Sequence, residues 1–153
     1  MVCVPGNEPL GNTPPAKVVI NEMTTVASIW TNAQFLDGTA IKGPALSLRI
    51  AAGNMPNFVD LQTGGWGSAI QAPFNSTQTP TMANFATLST LLAGCTTQVL
   101  PDACDRFFAA TTPPSGKVPT DTMTTAEAVA HNAAFKPERL FALLNAFYPV
   151  PKG

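Results

Sequence analysis

Residues 18–36, V-V-I-N-E-M-T-T-V-A-S-I-W-T-N-A-Q-F-L, constrain the fold more than any other stretch. Met23, Val26, Ala27, Trp30 and Ala33 recur at the i, i+3, i+4, i+7 spacing of one helical face, which predicts a helix whose apolar stripe is the buried spine of a bundle. Asn21 can cap that helix, its side-chain oxygen accepting an orphaned N–H of the first turn. Glu22 then places a carboxylate at the positive end of the helix dipole. Capping explains Glu22 without giving it a part in any site.

Caps and prolines punctuate the rest of the chain. Asp37-Gly38 ends the first helix, and Gly43-Pro44 opens a second, at a position where the missing proline N–H costs nothing. Leu46, Leu48, Ile50 and Ala51 mix two faces, and Gly53 with Pro56 ends or kinks this helix before a short piece around Phe58, Val59 and Leu61. Thr79-Pro80 starts a helix carrying Phe85, Leu88, Leu92 and Cys95, which Gly94 can terminate. Leu100-Pro101 starts another, with Phe107 and Phe108, that stops at T-T-P-P. Asp121 or Thr124 caps the next, Thr124 with Glu127 having capping-box form. Lys136-Pro137 opens the last, where Leu140, Leu143, Leu144 and Phe147 line one face beside Phe141 and Tyr148.

Such punctuation, with no convincing alternating strand pattern, predicts an all-α fold: a single compact bundle of five or six short helices with a long loop around residues 62–78. Residues 1–17, with Pro5, Gly6, Gly11, Pro14 and Pro15, read as an extended lead-in or linker. Residues 18–150 read as the helical domain and 151–153 as an exit linker. A chain of 153 residues supports one core, burying roughly two thirds of its unfolded surface.

Composition excludes several classes of function. With a formal net charge of −1 and 11% charged residues, no cluster of Lys and Arg can neutralise phosphates, which argues against nucleic acid and anionic membrane surfaces. No apolar run approaches the ~20 residues of a membrane-crossing helix, and the sequence as given does not begin with the pattern of a signal peptide. Abundant Thr, Ser, Asn and Gln predict a polar, nearly uncharged surface that suits an exported protein. Cys95 and Cys104 flank T-T-Q-V-L-P-D-A. A bridge there would tie the end of one helix to the start of the next, adding roughly 2–3 kcal/mol at most through loop entropy; the alternative is two buried thiols acting as small hydrophobes. Cys3 is left over, unpaired or bonded outside this segment.

Catalytic chemistry finds little support. His131 is the only histidine, on A-E-A-V-A-H-N, and no G-x-S-x-G accompanies it, so it reads as a structural or surface residue. Asp102 and Asp105 suit a helix start rather than a calcium loop. No catalytic residue, cofactor or metal site is expected. Trp66 in G-G-W-G is a candidate ligand or partner contact: flanking glycines would leave the indole on a flexible loop, able to stack on a sugar or a partner surface. The alternative is an indole folded back over the bundle. Phe74, between Pro73 and Asn75, could extend the same patch, and Asn75-Ser76-Thr77 matches the glycosylation acceptor pattern, read as a chance match.

Taken in order, N-E-M-T-T-V-A-S-I-W, the helix end L-L-A-G-C, C-D-R-F-F-A-A-T-T-P, P-T-D-T-M and P-E-R-L-F-A-L-L resemble a helical module of exported bacterial multidomain proteins. In those proteins the module accompanies Ig-like or carboxypeptidase-regulatory-like segments and NHL-type β-propeller repeats. The resemblance covers about residues 18–150. It implies a periplasmic, cell-surface or secreted protein, a Cys95–Cys104 bridge at the module's two cysteine positions, and a lead-in trailing from a neighbouring segment. No propeller follows Gly153 here, so a fragment or a module working alone or in an assembly is expected. The function expected is non-enzymatic protein–protein contact, spacing or assembly, with a protein partner or a second copy. The alternative is a carbohydrate- or small-ligand-binding module using the Trp66 loop.

Overall fold

The computed structural model describes residues 17–38 and 40–150; the expectations for Cys3, the rest of the lead-in and the exit linker lie outside these. Helix α1 (Glu22–Asn32) starts as its residues dictate. Asn21 Oδ1 accepts the Thr24 N–H at 2.8 Å while Thr24 Oγ1 accepts the Asn21 N–H at 2.9 Å, a reciprocal capping box with threonine in the returning position. Its buried surface is wider than one stripe: Thr24, Val26, Ala27, Ser28, Ile29 and Asn32 are all buried, and Trp30 is half-buried. Ser28 tolerates this by donating its hydroxyl to the Thr24 carbonyl at 2.8 Å.

A 3-10 turn (Ala33–Phe35) leads into a small hairpin, β1 (Leu36–Asp37) with β2 (Ala40–Ile41), in which Leu36 pairs with Ile41 and Asp37 with Ala40. Gly38, at φ 61°, makes the turn. Helix α2 (Ala45–Gly53) follows Pro44, and α3 (Met55–Phe58) is a single turn with Pro56 at its start. Val59 has already left that helix for extended backbone and bridges to Trp66, so it and Leu61 fall outside the expected short piece. Residues 62–78 are not an open loop throughout: α4 (Ser68–Gln71) and a π turn (Phe74–Gln78) occupy much of them.

The long α5 (Thr81–Thr96) runs on through Gly94. A Cβ there would lie 2.5 Å from Phe147 Cδ2, so the glycine serves close packing against the last helix instead of ending its own. The Cys95–Cys104 disulfide joins the end of α5 to α6 (Ala103–Ala110). Asp121, not Thr124, caps α7 (Thr122–His131), and α8 (Glu138–Phe147) completes the chain of elements.

Six of these helices have eight residues or more. The fold is all-α apart from the two-stranded hairpin, and no helix among the described residues is long and apolar enough to cross a membrane. Its core gathers on α5, which packs against α1, α6 and α8. Phe85, fully buried, is the hub of an aromatic cluster: Trp30 and Phe58 ring centroids lie 5.6 Å from it and Trp66 5.9 Å. Each such ring pair adds about 0.5–1.5 kcal/mol beyond area burial. Ile29, Leu36 and Ala126 form a smaller cluster where α1 meets α7.

Candidate functional site

The Trp66 segment is built on Asp60. Asp60 Oδ1 accepts the N–H groups of Gln62 at 2.8 Å and Thr63 at 3.4 Å, and its main chain closes the loop through Gly64 and Gly65. The Gln62 N–H, then the Thr63 hydroxyl, hold the Asp60 carboxyl below its ordinary pKa. Asn21 Nδ2 reaches across to donate to the Gly64 carbonyl at 2.9 Å, so one side chain both caps α1 and pins this loop.

The glycines of G-G-W-G answer to crowding. Gly64 sits at φ 75°, and a Cβ there would lie 2.5 Å from Asn21 Nδ2 and 2.6 Å from Val19 Cγ1. At Gly67 a Cβ would meet the Pro56 carbonyl oxygen at 2.6 Å. Trp66 is half-buried and tilted against Phe85, so the folded-back alternative describes it and the flexible-loop expectation does not. Phe74, by contrast, is 64% exposed on the π turn. Asn75 donates its side-chain amide to the Ala69 carbonyl at 2.9 Å, the nitrogen of the acceptor pattern thus holding α4 to the π turn.

Among the described residues, the outer face of α2 carries two strongly exposed large apolar side chains. Leu46 and Ile50, one turn apart, are 69% and 60% exposed, while Ala51 is the helix's one buried residue. The sequence signal for this face was the mixing of apolar residues on two sides of the helix. Phe141 on α8 and Tyr148 just after it are also exposed.

A cleft of about 420 Å³ opens between residues 113–120 and α7. Thr124, Glu127, Ala128 and His131 form its helical wall, at the spacing of a single α7 face; Ser115, Lys117 and Val118 lie on the loop wall. His131 Nε2 is 2.6 Å from the Ala33 carbonyl oxygen. Because that oxygen only accepts, Nε2 carries a proton and is the donor of this bond. Thr124 is committed to the α7 cap. Among the described residues, no three His, Cys, Asp or Glu side chains gather as a metal would need. Sequence reading placed Glu127 and His131 on one helix without finding this cleft, since its other wall depends on the path of an irregular segment. Comparison of the chain with protein-family models, curated proteins and solved structures finds no match.

Proposed function

We propose that the chain is a non-enzymatic, exported helical module for protein–protein contact, spacing or assembly, and that the outer face of α2 makes the contact. The observation that carries this reading is the exposed pair Leu46 and Ile50 on a helix whose only charge is Arg49. Contiguous apolar surface of this kind marks interaction sites in soluble proteins. Sparse charge supports the same reading, since the two ion pairs among the described residues, Lys42–Asp37 and Arg106–Asp102, are both exposed and weakly stabilising. The Cys95–Cys104 disulfide and the motif resemblance support export, because such bridges persist in oxidising compartments.

Light scattering over a concentration series, repeated with the Leu46→Glu/Ile50→Glu protein, tests the contact. Self-association or capture of an envelope partner should be lost in the variant, which keeps its fold because both side chains face water. A strict monomer that binds no envelope protein would remove the reading. Fractionation of the source cells tests export: a reduced, cytosolic protein would sink it.

A further inference from the structure

We propose that the cleft between residues 113–120 and α7 binds a small dipolar ligand, an amino acid or short peptide carrying a free ammonium group and a free carboxylate. Its volume of about 420 Å³ is that of a small-molecule site. Its two walls differ in kind. On the helical wall the Glu127 carboxylate is an acceptor, and the His131 ring is held in place by the bond from Nε2 to the Ala33 carbonyl. On the loop wall the Lys117 ammonium and the Ser115 hydroxyl are donors.

Neither Glu127 nor Lys117 makes an ion pair or a side-chain hydrogen bond among the described residues, although both line the same cleft. A ligand that is only an anion would meet Lys117 but be repelled by Glu127. One that is only a cation would meet the reverse. A dipolar ligand lying across the cleft satisfies both walls at once, its ammonium toward Glu127 and its carboxylate toward Lys117 and Ser115. Ala128 and Val118 offer apolar contact to its body.

Titration of the full chain with the dipeptide alanyl-leucine, followed by amide chemical shifts in NMR, tests this. Saturable shifts are expected in residues 115–118 and 127–131. N-acetyl-alanyl-leucine and alanyl-leucinamide, each lacking one charge, should bind roughly tenfold more weakly. Glu127→Gln should abolish the preference for the free amine, and Lys117→Met the preference for the free carboxylate. Absence of saturable shifts at millimolar dipeptide would overturn the proposal, as would equal binding of all three probes to the unaltered protein, a comparison that needs no variant.

Discussion

Helices α1 and α7 begin with the same chemistry and end with opposite fates. N-E-M-T-T opens one and D-T-M-T-T the other. In both, the cap side chain accepts the N–H of the third helical residue at 2.8 Å, and the next threonine, Thr25 or Thr125, donates to the cap carbonyl at 2.8 Å. Beyond the cap they diverge. Six residues of α1 are buried, against Thr125 and Ala126 alone on α7. Large side chains such as Ile29 and Trp30 let α1 fill the centre, whereas A-E-A-V-A-H leaves α7 bordered by depressions: the dipolar cleft on one side, and on the other a recess of about 300 Å³ that Val129 and Ala130 share with Trp30 and Phe58. Capping thus decides where a helix starts, and side-chain volume decides whether it becomes core or a site wall.

The largest test of that distinction is truncation. Ile29 is fully buried, so Ile29→Ala should cost about 2–5 kcal/mol by lost transfer energy and a residual cavity. Val129→Ala on α7, already beside an open recess, should cost about 1 kcal/mol or less. Chemical denaturation of the two variants measures both, and equal losses would erase the contrast. Next come two glycines, one in the turn that Asn21 pins and one in residues 113–120 before α7. Gly64 and Gly116 both have positive φ, but only Gly64 is crowded. Gly64→Ala should cost roughly 2–3 kcal/mol and Gly116→Ala about 1 kcal/mol, the backbone share alone.

Local chemistry was legible in the residues, and long-range contact was not. Asn21 announces α1 because a cap and its partner stand three residues apart. The start of α7 was ambiguous because D-x-x-T and T-x-x-E overlap there, and only the hydroxyl of Thr124, bonded back to Asp121, decides between them. The hairpin stayed hidden because two residues per strand cannot show alternation. Gly64 and Gly67 looked like sources of freedom because a sequence shows a missing Cβ but not the Asn21, Val19 and Pro56 atoms that would collide with one. Gly94 misled for the same reason: Phe147 lies far along the chain.

The caps themselves sharpen the comparison further. Asp121→Ala should cost about 1 kcal/mol, the usual worth of an N-cap. Asn21→Ala should cost about 2 kcal/mol, since the bond to the Gly64 carbonyl goes with the cap. Asn21→Asp separates the two roles: its oxygens can still cap α1, but it has no amide to donate to Gly64. If thermal unfolding shows Asn21→Asp as stable as the parent, the tie to the loop contributes nothing.

The smallest expected effect is a pH dependence at the turn that Asn21 pins. Hydrogen bonds from the Gln62 N–H and the Thr63 hydroxyl lower the Asp60 pKa in the folded protein, so folding favours the carboxylate. Its contribution is therefore fully present above the ordinary aspartate pKa of about 4 and fades as pH falls through the lowered folded value. The turn that Asn21 pins should loosen in that acid window, seen as amide exchange at Gln62 and Gly64 that is faster than the intrinsic pH effect alone gives. Asp60→Asn removes the titrating group and should flatten the response at Gln62; an unchanged response in that variant would mean that another group governs the loop.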